Sequence, residues 1–585
     1  MFPQDAQRIF TILLIENSKK KSFIPPLVDT ENSKVVTSSA DKAELLNNFF
    51  TQCHQQDDST IDKKFLPEFD LHEHMPVLSI TEEDVLMVIK KLKCSVSRTP
   101  EKIPAIFIKR IGMNLLKPLT ILYNQSLAEG KIPSEWEESI VVPIHKKGLR
   151  SSSSNYRPVS QTSVFCRLLE AILHHYMYNH LQTNNMISTA QHGFMKQRST
   201  MTNQLVMLNI LNENFDQKIQ TEMILLDFSK AFDLVPHIKL VEVLNAYYIN
   251  KDVIRWLKNL LQSRSQRTVV NNELSQKTKV RSGVPQGSVI GPLTFNMYTN
   301  SLLRELQSLQ DILVIAFADD IKIISKNPTQ LQKALDIVEN WCDRFKLKLN
   351  PLKSEHMCFR PGIDHTFQIC GQRIKTVERT KDLGVVLNNA LKWQSHVTQI
   401  TSKATNLSYM ILRSFSSSFA RIKAYKTYVR PLLEQNSVVW NVGNRGEIRC
   451  LEKVQRMFTR RVLQNMNKTY KNYSDRLEIL EIERLDLRRL YFDIKTVYKI
   501  INNLVDISTE QFFLPIDTIY NFRYHTLAIK KQSIAKTNIM QNSFKYRVIE
   551  AWNSLPNSVV TLAELNQFKA KLRKIPMQRF LSDIV

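Results

Sequence analysis

Three aspartates stand where apolar runs end. Residues Asp311–Ser325 read Asp-Ile-Leu-Val-Ile-Ala-Phe-Ala-Asp-Asp-Ile-Lys-Ile-Ile-Ser, so two β-rich runs, Ile312–Phe317 and Ile321–Ile324, flank Ala318-Asp319-Asp320. That is the pattern of a hairpin with adjacent carboxylates at its tip. Upstream, Glu222-Met-Ile-Leu-Leu-Asp227 is another apolar run ending in an acid, and Phe-Ser-Lys-Ala-Phe232-Asp233 then turns into a short helix. Carboxylates gathered among buried strands are costly unless a cation neutralises them. Hard divalent ions take carboxylate oxygen, which points to Mg²⁺, with Mn²⁺ as the alternative. Asp227, Asp319 and Asp320 are therefore the expected metal ligands. A pair of ions about 3.5–4 Å apart serves in-line nucleotidyl transfer, activating a hydroxyl and steadying the departing pyrophosphate. A lone acidic hairpin reads equally well as a solvated turn; the second strand separates the two readings.

The elements that must position these acids follow the same logic. Between them lies Ser282-Gly-Val-Pro-Gln-Gly287-Ser-Val-Ile-Gly-Pro-Leu, a tight loop before a helical run from Val289 onward. Its glycines allow close approach of backbone to a bound nucleotide, since no Cβ intervenes. Strand-Asp-x-x-x-x-Phe, this loop and Phe-Ala-Asp-Asp, in that order, resemble motifs A, B and C of the reverse-transcriptase palm.

The resemblance extends along most of the chain. Val142-Pro-Ile-His-Lys-Lys-Gly and Asn155-Tyr-Arg-Pro-Val-Ser resemble the fingers motifs of non-LTR (LINE-type, jockey-like) retrotransposon reverse transcriptases. It implies that Lys146 or Lys147, with Arg157, holds the incoming triphosphate, where fixed cations offset phosphate charge. Gln286 and Gly287 would contact the nucleotide. Phe232 matches the steric gate that excludes a ribose 2′-hydroxyl. Leu349-Asn350-Pro-Leu-Lys353-Ser-Glu355 resembles motif D, which makes Lys353 a general acid beside the pyrophosphate. Asp382-Leu-Gly-Val-Val-Leu387 resembles the primer grip of motif E. The plain alternatives are an exposed basic loop for the fingers cations, a solvated lysine for Lys353 and a core ring for Phe232. Two places depart from the family pattern. Met195-Lys196-Gln197 follows Gln191-His-Gly-Phe194 where Arg-Lys-Gly is usual, and Glu101-Lys102 interrupts a Pro-Asp-Gly-Ile-Pro loop expected to touch template RNA.

Composition agrees with such a body. At 585 residues the chain can bury several cores, and with 12 glycines it should be helix-rich around a small sheet. The expected fold class is α+β: a right-hand polymerase with fingers, a palm with an antiparallel sheet and a helical thumb, plus a helix-rich C-terminal region. The expected divisions are a linker over 1–75, a polymerase extension over 76–130, fingers over 131–215, palm over 216–390, thumb over 391–470 and a basic region over 471–585. Helices are expected over Ala40–Phe50 and Ile80–Lys93, and a hairpin over Gln266–Val280.

Net charge is +25, and residues 401–585 hold 31 Lys and Arg against 15 Asp and Glu. Clusters at Arg421–Arg430, Lys453–Arg461 and Lys569–Arg579 suit phosphate backbones, with binding that falls steeply with salt. The 7 cysteines form no Cys-x-x-Cys pair, which argues for a reducing compartment and against a zinc knuckle. Apolar stretches such as Ile9–Ile15 are too short to span a bilayer, so the protein is expected inside the cell. Nuclear entry would suit an element that copies into chromosomes, although no segment supplies an address.

The leading expectation is an RNA-directed DNA polymerase whose partners are template RNA, primer or target DNA and dNTPs. Relatives usually begin with an endonuclease; this chain is expected to lack one, so that insertion would depend on a separate nicking protein. A catalytically inactive remnant that only binds RNA or DNA is the alternative from another class. An RNA-dependent RNA polymerase fits less well, because Phe317-Ala-Asp-Asp and Phe232 stand where Gly-Asp-Asp and a small residue would be expected.

Overall fold

The computed structural model describes residues 24–29, 34–54, 57, 59–70, 73–93, 100–441, 443–516 and 525–581. The run Ile9–Ile15, Cys94 and the Ser97–Thr99 part of the loop before Pro104 lie outside the described residues. Along the chain the strands used below are β1 (Leu27–Asp29), β2 (Lys34–Val36), β3 (Glu138–His145), β4 (Tyr156–Gln161), β5 (Thr221–Leu226), β6 (Ser265–Val270), β7 (Glu273–Leu274) and β8 (Thr278–Lys279). They continue as β9 (Ile312–Phe317), β10 (Asp320–Ser325), β11 (Glu355–Phe359), β12 (Lys375–Thr376), β13 (Arg379–Asp382) and β14 (Val385–Asn388). The helices referred to are α1 (Ser39–Thr51), α2 (Val164–Thr183), α3 (Thr200–Asp216), α4 (Ala231–Leu234), α5 (Gly291–Gln307), α6 (Gln394–Ser414), α7 (Arg445–Gln464) and α8 (Leu485–Ile501). The result is a mixed α+β architecture.

One sheet has the order β12-β11-β5-β10-β9. Its pairs are antiparallel except β11 with β12. β5 sits in the middle and is buried along nearly its whole length, as its unbroken apolar run requires. Side chains alternate between faces with period two. Ile224, Leu226, Val314, Ala316, Ile321 and Ile323 enter one core, whereas Met223, Ile315, Ile324, Met357 and Phe359 enter another. The first core is completed by α2, α5 and the helix Pro328–Phe345. The second is completed by α3, α6, α7, α8 and the C-terminal residues Trp552 and Phe568. Both faces being covered, the strand ends become the place where polar groups can meet water.

A second sheet, β4-β3-β6-β7 with β8 also on β6, carries the segment around Lys146 and Arg157. Its hairpin turns at Asn271 and Asn272, with φ of 50° and 75°, the two left-handed residues that a tight two-residue loop needs. α1 docks on this sheet. Asn47, 0 % exposed, accepts from Gln266 Nε2 and Thr268 Oγ1 and donates to Thr278 Oγ1. Leu46 and Phe50 pack with Leu27, Val141, Tyr156 and Val270 in a small third core. The helix expected near Ile80 runs from Glu82 to Lys91, started by a capping box between Thr81 and Asp84.

The C-terminal residues return to the sheet region. Asp216, at the end of α3, accepts from the backbone of Lys536 and Thr537, and Lys545 pairs with Glu213. Much of the basic excess is spent inside this half. Arg488 bridges Glu434 and Glu483, Arg547 pairs with Asp493 at 2.9 Å, and Arg421 is buried on the carbonyls of Leu412 and Phe415. Lys453, Arg460, Arg461, Arg573 and Arg579 remain exposed. Among the described residues no helix is long and apolar enough to cross a membrane.

Candidate active site

The registers bring the acids together. Ile321 pairs with Leu226 and Asp320 with Phe317, so the next position along the ladder sets Asp227 beside Asp320, with Asp319 in the turn. That turn is held tightly. Ala318 is left-handed, with φ of 57°, and its N–H donates to Gln191 Oε1 at 2.9 Å. Gly193 passes so close that a Cβ there would lie 2.4 Å from the Ala318 nitrogen. The quoted Gln191-His-Gly-Phe194 pattern is thus a clamp on the acidic hairpin. Asp227 is fixed by its own backbone, whose N–H donates to Ser354 Oγ and whose carbonyl accepts from Asn350. These bonds tie the segment carrying Lys353 to the end of β5.

A cleft of about 1010 Å³ opens over these groups. Asp227, Asp319, Asp320, Lys353, Lys146, Arg157, Phe232, Gln286 and Gly287 all line it. Lys147 does not. Both lysines follow His145, the last residue of β3, and both are exposed. Of the two lysines in this loop, Lys146 is the one that lines the cleft.

Electrostatics set the two sides against each other. Loss of water pushes Asp319 up, an effect opposed by Arg157 and Lys146 and reinforced by Asp227. Asp320 is pushed up to about 6, first by loss of water and then by the charges of Asp319, Asp382 and Asp227. Lys146 is pushed down by burial and by Arg157, against the pull of Asp227. Carboxylates crowded until they resist ionisation favour a bound cation. The three acids supply hard oxygen donors of the kind a divalent ion takes, so the donor set fits. Even so, among the described residues no three acid, histidine or cysteine side chains close on a common point.

The loop before α5 forms another wall. Gly287, at φ 131°, lies where a Cβ would come within 2.3 Å of the Ser160 carbonyl, and the Ser160 N–H in turn donates to the Gln286 carbonyl at 2.8 Å. The loop is thereby stitched to β4. Gln286 Nε2 donates to Asp233 Oδ1 at 3.0 Å. Burial pushes Asp233 up to about 6, against the pull of Lys230 and Gln286. Phe232 is half-buried. It stacks on Phe295 with ring centres 4.1 Å apart, meets Phe194 edge-on, and shows its remaining edge to the cleft.

Sequence reasoning missed part of this wall. Phe49, Phe50, Gln52 and Cys53, at the end of α1, also line the cleft, and Lys230 Nζ sits 4.2 Å from the Phe49 ring centre. Amphipathic spacing had marked the helix, but nothing local told which sheet it would cover. The departures also find partners. Glu101 turns inward to accept the Val164 N–H at the start of α2. Gln197 gives its carbonyl to Asp506, whose carboxylate pairs with Arg198 at 2.7 Å.

Acids on the paired ends of a buried sheet thus face Lys146 and Arg157 across one large cleft. Residues 144–403 match the family described as reverse transcriptase (RNA-dependent DNA polymerase). The chain is similar to proteins of non-LTR retrotransposons. One is the probable RNA-directed DNA polymerase from transposon BS of Drosophila melanogaster, 24 % identical over 68 % of this chain and 46 % of the relative. Another is the RNA-directed DNA polymerase from mobile element jockey of the same species, 24 % identical over 66 % of this chain and 44 % of the relative. The chain thus spans less than half the length of these relatives. A Candida tropicalis telomerase solved with a fragment of telomeric RNA gives a TM-score of 0.37 at 12 % identity, over 68 % of this chain and 67 % of that one.

Proposed function

We propose that this chain is an RNA-directed DNA polymerase that extends a primer 3′-hydroxyl along RNA with dNTPs and releases pyrophosphate. The observation that carries the reading is the single cleft in which Asp227, Asp319 and Asp320 face Lys146 and Arg157. On this reading residues 131–215 are fingers, 216–390 palm and 391–470 thumb, with the basic region beyond them. Asp227, Asp319 and Asp320 would hold Mg²⁺, which when bound supplies charge neutralisation for in-line displacement. Lys146 and Arg157 bind the triphosphate, and their fixed positive charge offsets the charge of the leaving pyrophosphate. Lys353, anchored through Asn350 and Ser354 to Asp227, is the proton donor to that pyrophosphate. Phe232 fills the space a 2′-hydroxyl would need. Exposed lysines and arginines of α7 and the C-terminal helix Leu565–Leu572 are suited to the duplex backbone.

The test is primer extension on an RNA template with dNTPs and Mg²⁺, comparing the parent with an Asp319→Ala, Asp320→Ala double variant. DNA from the parent alone supports the reading. Absence of product from the parent, with template binding retained, would leave a nucleic-acid-binding remnant instead.

A further inference from the structure

Beneath the loop Ser282–Ile290 lies a group of buried charges that nucleotide transfer does not itself use. Arg264, between the helix Lys251–Ser263 and β6, is 5 % exposed. Its Nε and Nη1 have no hydrogen-bond partner among the described residues. A guanidinium is costly to bury unless opposite charge is close. Glu170 and Asp233 provide that charge, and each holds a different part of the loop. Glu170, on α2 and 1 % exposed, accepts the Val289 N–H at 2.6 Å and also that of Ile290, where α5 begins. Asp233 accepts from Gln286 Nε2, and its carbonyl accepts the Ser282 hydroxyl at 2.8 Å. A void of about 20 Å³ bounded by Arg264, Asp233, Gln286 and His54 separates these groups, enough room for a single water.

An ionised carboxylate only accepts hydrogen bonds. Asp233 therefore takes the amide nitrogen of Gln286 and leaves the amide oxygen as what Gln286 can offer a ligand in the cleft. We propose that Arg264 and Glu170 are positioning residues that fix the loop from below, Glu170 at its helical end and Arg264 through Asp233, so that Gln286 meets the incoming dNTP with its oxygen. The proposal rests on the polymerase reading above.

Single-nucleotide incorporation by the intact chain tests it. Arg264→Met should raise KM for dNTP roughly tenfold or more, the scale of a lost charge-assisted hydrogen bond, with kcat changed by no more than about threefold. Glu170→Leu should do the same, and Glu170→Gln, which keeps an acceptor for Val289, should recover most of it. Combining Arg264→Met with Asp233→Asn should cost less than the two separate effects multiplied, because both act on one bond. Unchanged KM, or fully multiplicative effects, would overturn the idea. Hydrogen exchange at the Val289 and Ile290 amides supplies a readout independent of turnover. Exchange should accelerate at least about tenfold in Glu170→Leu, and exchange equal to the parent's refutes the role even if a variant is catalytically dead. A parent that makes no DNA would sink the polymerase reading, while the exchange result would still decide whether these residues hold the loop.

Discussion

Lys322 offers the sharpest stability prediction. It lies on β10, one residue beyond Ile321, with its side chain 2 % exposed against an Asp382 side chain that is 4 % exposed. Its ammonium donates to Asp382 Oδ2 at 2.7 Å and to Asn203 Oδ1 at 2.6 Å, joining the acidic hairpin to α3 and the β13–β14 hairpin. Lys322→Met keeps the volume but strands Asp382 as a buried charge. Removing one partner of a buried pair costs about 3–5 kcal/mol. Asp382 still accepts from Gln204 Nε2 at 3.2 Å, which places the loss at the lower end, about 3 kcal/mol, or more than a hundredfold in the opening equilibrium. Because the lost contact is local to one hairpin, the assay is hydrogen exchange across Arg379–Asn388. Exchange there should rise by that factor in Lys322→Met and return to within about tenfold of the parent in the Lys322→Met, Asp382→Leu double variant, since apolar replacement of both partners is close to neutral. A single variant that exchanges like the parent, or a double variant no better than the single, would refute the reasoning.

Three further outcomes follow from the geometry. Phe232→Ala should raise ribonucleotide incorporation relative to dNTP by about tenfold or more, measured in paired single-nucleotide reactions, while loss of the Phe295 stack costs about 2 kcal/mol. Gly287→Ala must force a Cβ against the Ser160 carbonyl at a glycine-type φ. A strain of about 1–3 kcal/mol should appear as a weaker KM for dNTP with a lower melting point, and wild-type values for both would contradict the close approach. Glu222 supplies the pH dependence. Burial pushes it up, but hydrogen bonds from His356, Gln220 and His365 win and hold it at about 2. A depressed carboxyl contributes stability that is complete above its ordinary value near 4.5 and is lost as pH falls toward 2. Glu222→Gln should therefore flatten the fall in melting temperature between pH 5 and pH 3, and an identical acid profile in parent and variant would remove Glu222 from the account.

What could be read in advance follows from how local each signal is. The strands bearing Asp227, Asp319 and Asp320 are legible because a buried middle strand needs an unbroken apolar run and a hairpin needs two runs with a short polar break. Asn271-Asn272 announces its turn by residue type alone, and Thr81 with Asp84 announces a helix start. Whether Lys146 or Lys147 reaches the cleft depends on how the loop after β3 turns, which the motif leaves open. α1 reads as a helix but not as a wall of the cleft, because its partners Gln266, Thr268 and Thr278 lie more than two hundred residues on. Arg264 and Glu170 looked like any arginine and glutamate, for their meaning comes from being sealed under a loop distant in sequence. Charge runs misled in part: Arg421 looks available to phosphate as sequence yet is consumed by the carbonyls of Leu412 and Phe415.

The bond from Asp216 to Lys536 closes over 320 residues, and that distance is also a time. At a synthesis rate of about 5–20 residues per second, the end of α3 waits roughly 16 to 64 s for the segment that covers it. Throughout that interval Leu205, Leu208 and Leu211, destined for the core shared with Trp552 and Phe568, belong to a growing chain whose last partners have not been made. The half-finished protein therefore presents a sticky helix face to its surroundings for far longer than a helix takes to form, which makes the ribosome-bound stage, rather than the finished protein, the point at which this fold most needs a chaperone.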